Sequence, residues 1–166
     1  MITLYNVISK DGYIARKNGD EDFIPEEIWE YDMNFFKQYD TWVMGRRTYE
    51  AIQNYDEESK KLLDNLKIRK IILTNNKNFH PEKGFETEHS IKEAISLGKD
   101  ILICSGPTLN TDALAQGLVD MVMQYILPIE INDGIKPFNI ETKNILKLVK
   151  EETTELGTIT TYDVVK

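Results

Sequence analysis

Trp42-Val43-Met44-Gly45-Arg46-Arg47-Thr48-Tyr49-Glu50 decides how the chain is read. A short apolar run, the mark of a buried strand, meets a glycine and passes straight into a helix start. Two guanidiniums sit at the junction. Backbone N–H groups at a helix N-terminus, beside arginine side chains, suit a phosphate group. The alternative is that Arg46 and Arg47 are solvated surface charges. A strand turning directly into a helix is also the repeating unit of an α/β fold.

The rest of the chain repeats that unit. Residues 2–8 read as a strand, closed by the turn Ser9-Lys10-Asp11-Gly12 and followed by Tyr13-Ile14-Ala15. Residues 16–23 are charged and contain glycine, so they form a loop. Pro25 opens a helix to about residue 38, with Glu26 and Glu27 favourable to its dipole and Ile28, Trp29, Phe35 and Phe36 buried. Residues 41–44 are a strand, 48–54 and 58–66 are helices, and 70–73 are a strand ending at Thr74-Asn75-Asn76. Ser90-Ile91-Lys92-Glu93 is a capping box, and its helix ends at Gly98 as a C′ glycine would end it. Residues 101–104 are a central strand, 107–116 a helix stopping near Gly117, and 119–127 a longer strand. Residues 146–152 and 158–165 form a hairpin through Glu155-Leu156-Gly157. Adding a weak strand near Phe85 gives about eight strands and four or five helices in one domain.

Bulk properties narrow the function. A chain of 166 residues buries a sizeable core. Its net charge of −8 argues against a general nucleic-acid or membrane-surface binder, since both need a basic face. Cys104 is the one cysteine, so no internal disulfide forms and a reducing compartment is expected. The N-terminus lacks the basic and apolar regions of a secretory leader. A soluble cytoplasmic protein is the expectation. His80 and His89 lie in polar segments without metal-ligand spacing. There is no G-x-G-x-x-G or Walker A pattern.

The second informative stretch is Ile101-Leu102-Ile103-Cys104-Ser105-Gly106-Pro107-Thr108, a strand that ends in Ser-Gly and becomes a helix. In open α/β sheets, ligands lie at the carboxyl ends of the strands. If the strands ending at Gly45, Thr74 and Ser105 are parallel neighbours, their ends line one crevice. Arg46, Thr48 and Thr74 then suit one phosphate and the 105–108 turn a second, as an extended dinucleotide requires. The alternative is an ordinary strand-to-helix turn capped by Ser105 or Thr108.

Five motifs in register resemble one superfamily. Ser9-Lys10-Asp11-Gly12-Tyr13-Ile14-Ala15 resembles the S-x-D-G-x-I-A opening of the reductase domain of riboflavin biosynthesis. Met44-Gly45-Arg46-Arg47-Thr48-Tyr49-Glu50 resembles the M-G-R-x-T-[WY]-E motif that this domain shares with dihydrofolate reductase. Ile71-Ile72-Leu73-Thr74-Asn75 resembles the strand ending at the adenosine phosphate, and Cys104-Ser105-Gly106-Pro107 falls at the family's Gly-Gly turn. Gly117-Leu118-Val119-Asp120-Met121, with Leu127-Pro128 beyond, resembles the riboflavin branch. In that branch's G-x-G-x-P-x-F ending, Gly134 and Phe138 match and one glycine is missing.

The resemblance implies a dihydrofolate-reductase-like fold: a central, mostly parallel sheet, flanking helices and a C-terminal antiparallel hairpin. It implies NADPH as cofactor, a small heterocyclic or ribosylamino-pyrimidine substrate, and a homodimer. Gly45, Arg46, Arg47 and Thr48 would hold the cofactor's phosphates. Thr74 and Asn75 would flank the 2′-phosphate, and Ser105, Gly106, Thr108 and Leu109 would meet the pyrophosphate. Val7, Ile14 and Ala15 would pack near the nicotinamide. If the position of Ser105 needs a positive φ, serine there is strained. Asp32 aligns with the carboxylate that polarises the pteridine in dihydrofolate reductase. Read from the residues alone, it is equally a solvated helix residue. Asp11 is the other candidate carboxylate, or the maker of an Asx turn with Gly12. Dihydrofolate reduction and cofactor binding without turnover remain as alternatives.

Overall fold

The computed structural model describes residues 1–166. Along the chain run β1 (Ile2–Ser9), α1 (Glu26–Phe35), β2 (Thr41–Gly45), α2 (Arg46–Gln53), α3 (Glu57–Asn65), β3 (Arg69–Leu73) and β4 (Glu86–Glu88). Then come α4 (Ile91–Ile95), β5 (Ile101–Ile103), α5 (Pro107–Ala115), β6 (Met121–Leu127), β7 (Leu146–Thr153) and β8 (Thr158–Val164). One eight-stranded sheet takes the order β4-β3-β2-β5-β1-β6-β8-β7. The first six in that order are parallel, and the β7–β8 hairpin adds antiparallel to β6.

Strands buried on both faces read as continuous apolar runs, because each face meets a helical layer. On β1, Tyr5 enters a core shared with Trp42, Met44, Ile72, Leu102 and Tyr125, covered by Ile28, Met33 and Phe35 of α1, Tyr49 and Ile52 of α2, and Leu63 of α3. Leu4 enters the opposite core with Val43, Ile71, Ile101, Ile103 and Val122, covered by α4 and α5. No helix is long and apolar enough to cross a membrane.

Ser90 caps α4 through the Glu93 N–H at 3.2 Å, and Gly117, at φ +68, ends the turn after α5. Several boundaries differ from the sequence reading. The helix from Pro25 stops at Phe35 and continues as a 3₁₀ turn over Phe36–Gln38. The helix after Gly45 begins at Arg46, two residues earlier than the sequence pattern indicates. Trp29 is half-buried, donating to Ser59 O at 3.0 Å and meeting Tyr55 edge-on at 5.0 Å. Gly98 is not the C′ residue of α4, which is capped at Ser96. A Cβ on Gly98 would collide with Asp40 Oδ1 and Thr41 Oγ1. The Asp40 carboxylate accepts the next two backbone N–H groups, Lys99 at 2.9 Å and Asp100 at 3.0 Å, so the chain must pass it closely.

Candidate active site

The register of the sheet opens the site. Leu4, Ile103 and Val43 lie side by side where β1, β5 and β2 pair. There β5 ends. β1 runs on to Ser9, still paired to β6, for five more residues or about 16 Å. β2 continues to Gly45, level with Leu73 at the end of β3. The short central strand leaves a notch between β1 and β2, roofed by residues 104–106. The three strand ends singled out above are thus parallel neighbours on one edge.

Two helices begin at this notch, α2 after Gly45 and α5 after Gly106, and neither has a side-chain cap. Their first-turn N–H groups have no intrahelical partner. Ser105 joins the two starts: its hydroxyl accepts the Gly45 N–H at 2.9 Å and lies 3.2 Å from Thr48 Oγ1. Asn132 is the one non-glycine residue with positive φ, so Ser105 is unstrained in this turn. Gly106 has open space where a Cβ would stand.

Beneath the turn lies a buried amide pair that the sequence reading missed. Asn6 Nδ2 donates to Ser105 O at 2.9 Å. Asn110 Nδ2 reaches Asn6 Oδ1 at 2.8 Å, Pro137 O at 3.0 Å and Ser105 O at 3.3 Å. Both side chains are buried, and together they fix the carbonyl of the turn. The signal was present: Asn6 interrupts an apolar strand, and Asn110 shares the buried face of α5 with Leu109, Ala113 and Leu114.

Arg46 points outward from the start of α2. Its Nε meets Glu50 Oε1 at 3.0 Å, and its guanidinium lies 4.5 Å from the Phe79 ring centre. That ring and carboxylate hold the fork in place. Arg47 is exposed. Thr74 is tied to the sheet edge through Glu88 O at 3.0 Å and caps the Asn76 N–H at 3.1 Å, while Asn75 and Thr108 are exposed. Leu109 is a core residue of the α5 layer, so only its backbone is offered to the crevice. Val7 packs half-buried on the α1 side of the notch. Ile14 and Ala15 are held by backbone bonds to Ile135, each 2.8 Å.

The two carboxylates part company. Asp11 is exposed, and its oxygens are already taken. They accept the Ser9 hydroxyl at 2.6 Å, the Ile131 N–H at 3.2 Å and the Asn132 N–H at 2.7 Å. It ties the first loop to the loop after β6, and those bonds hold its carboxyl below the usual range. Both Asp11 oxygens are thus engaged by donors within the chain rather than left free beside the notch. Asp32 is not a solvated helix residue. It is 7 % exposed, faces the core from α1, and accepts the Tyr5 hydroxyl at 2.6 Å. Burial pushes its carboxyl up to about 8, the Tyr5 bond works against that, and the charge of Glu21 adds to it. Burial also raises the Cys104 thiol well above its ordinary value.

A parallel sheet split at its centre, two uncapped helix starts on the split and a buried acid below them define an α/β protein with a dihydrofolate-reductase-like crevice. The family model of dihydrofolate reductase matches residues 1–132, and the chain belongs to that family. It is similar to the uncharacterized protein YyaP of Bacillus subtilis (strain 168), 29 % identical over 95 % of this chain and 91 % of that one. Solved structures that share the fold include the following two. A protein of Shewanella sp. PV-4 named for riboflavin biosynthesis superposes with a TM-score of 0.75 at 20 % identity, over 99 % of both chains. Dihydrofolate reductase from Enterococcus faecalis, in complex with NADP(H), superposes with a TM-score of 0.72 at 15 % identity, over 100 % of this chain and 97 % of that one.

Proposed function

We propose that this chain is an NADPH-dependent reductase of the riboflavin-biosynthesis reductase-domain type, acting on a small heterocyclic or ribosylamino-pyrimidine substrate. The observation that carries the reading is the pair of uncapped helix starts, α2 and α5, joined by Ser105 at the end of a shortened central strand. Two sets of free N–H groups flanked by Arg46 and Arg47 fit a diphosphate-bearing cofactor. Gly45, Thr48, Gly106 and the backbone at Thr108 and Leu109 would hold the pyrophosphate. Arg46, with Thr74 and Asn75, would hold the 2′-phosphate, and Val7, Ile14 and Ala15 the nicotinamide. That cofactor supplies a hydride when bound. The chain's own contribution is to bind, to exclude water and to offer Asp32 as the acid. Ser105 takes no positive φ, which supports a turn that can still receive a pyrophosphate. Dihydrofolate reduction is the second reading, favoured by the burial of Asp32 beside Phe35 and Phe36. A cytoplasmic homodimer completes the proposal, with β7 exposing Leu148 and Val149 at the sheet edge.

The test is a titration with NADPH and NADH followed by tryptophan fluorescence. Trp42 is a good reporter, since its Nε1 donates to Cys104 O at 3.1 Å directly under the roof of the notch. NADPH is expected to bind at least tenfold more tightly than NADH, about 1.4 kcal/mol. Arg46→Ala is expected to abolish that preference. Equal loss for both nucleotides would remove Arg46 from the 2′-phosphate, and no binding of either would end the reductase reading. Turnover with dihydrofolate against pyrimidine intermediates of flavin synthesis then separates the two substrates.

A further inference from the structure

Asp32 and Tyr5 form a closed pair at the base of the notch. The Tyr5 ring is completely buried, wedged against Phe35 at 5.2 Å and edge-on to Phe36 at 5.8 Å between ring centres. Its hydroxyl therefore has one direction to point, toward Asp32 Oδ1 at 2.6 Å. The second carboxyl oxygen differs. Oδ2 has no partner in the chain, yet it is not among the sealed, unpartnered polar atoms, which are Asn110 Oδ1 and Thr160 Oγ1. The 7 % of Asp32 that stays open thus includes Oδ2. No arginine, lysine or histidine pairs with this carboxyl. The titratable groups around it are Tyr5 on β1, Glu21 on the loop before α1, Tyr31 on α1 itself, Tyr55 after α2 and Cys104 after β5.

Resting on the reductase reading, with Asp32 as its acid, we propose that Tyr5 is a positioning residue that pins Asp32 by Oδ1, so that Oδ2 carries the one transferable proton. Burial without a cation keeps the carboxyl protonated near neutral pH, and Tyr5 donates to Oδ1, so the proton resides on Oδ2. When a C=N or C=O carbon of the substrate takes the hydride that a reduced nicotinamide would supply, its π pair would move to the heteroatom. The heteroatom takes the Oδ2 proton, and the oxidised nicotinamide remains. Asp32 is left as a carboxylate, which the Tyr5 O–H stabilises until solvent returns the proton. A substrate whose reducible carbon has no adjacent acceptor atom gains nothing from this arrangement.

The experiment is a ¹³C NMR titration of aspartate carboxyls in the full chain, with the Asp32 signal assigned by its loss in Asp32→Asn. In the native protein the signal is expected to titrate near 8. In Tyr5→Phe, which removes the donor and keeps the ring, the midpoint is expected to rise by about one unit. Site-specific 3-fluorotyrosine at position 5, a stronger donor of the same shape, is expected to lower it, and this variant decides the matter should Tyr5→Phe fail to fold. A midpoint that moves in neither variant overturns the positioning role, and a native midpoint near 4 overturns the neutral acid. NADPH titration fails independently of these shifts, so loss of the cofactor reading is distinguishable from loss of the Tyr5–Asp32 pair.

Discussion

Asp32→Asn is expected to stabilise the protein, and by an amount that depends on pH. In the unfolded chain this carboxyl ionises around its ordinary value of 3.8, whereas in the folded chain burial holds the proton until about pH 8. Between those values the folded state binds more protons than the unfolded state, so raising the pH favours unfolding. The slope is about 1.4 kcal/mol per pH unit, so the native protein loses about 4 kcal/mol between pH 5 and pH 8 from this one group. That is a large share of a typical domain stability of roughly 5–15 kcal/mol. Asparagine keeps an oxygen for Tyr5 and has no proton to lose. Urea denaturation of both proteins at pH 5, 6, 7, 8 and 9 gives the comparison. The stability difference should widen steadily to about pH 8 and then level off. Parallel curves would show that Asp32 ionises alike in both states, and the argument from burial would be wrong.

Gly98→Ala is expected to destabilise by about 2 kcal/mol, since the new Cβ displaces the Asp40 carboxylate from the Lys99 and Asp100 N–H groups. A shift of the thermal midpoint measures it, and an unchanged midpoint would mean the passage is looser than described. Asn110→Ala is expected to remove about 2–3 kcal/mol and to weaken NADPH more than the loss of stability alone would, because the 105–107 turn loses its support. Denaturation and the tryptophan titration check the two halves separately, and unaltered NADPH affinity would show that Ser105 alone sets the turn.

Much of the fold was legible because its elements announce themselves locally. The capping box at Ser90, the proline before α1 and the glycine after α5 are short-range signals with short-range causes. One boundary that moved has a distant cause. Gly98 looks like a helix stop because glycines after helices usually are, but what requires it is Asp40, 58 positions earlier in the chain. The edge where α2 and α5 begin was readable from Gly45-Arg46 and Ser105-Gly106, since strand ends and helix starts adjoin in sequence. The acid was harder to place. Asp32 lies one turn beyond Ile28 and one short of Phe35 and Phe36, on the buried stripe of α1, so its face was recoverable from spacing. Its partner was not, because no spacing within α1 indicates that Tyr5 on β1 stands opposite.

The place of β1 in the sheet also sets a clock on synthesis. This first strand lies between β5 and β6, so neither of its edges has a partner until residue 101 has been made. At ribosomal speeds of about 5–20 residues per second, Ile2–Ser9 waits roughly 5–20 s with an apolar, unpaired edge on each side. The strand that carries Tyr5 and Asn6 thus emerges before both of its sheet neighbours and is enclosed only when they follow. A cell making this protein has to shield that segment over the interval, and slow codons upstream of β5 would lengthen the exposure.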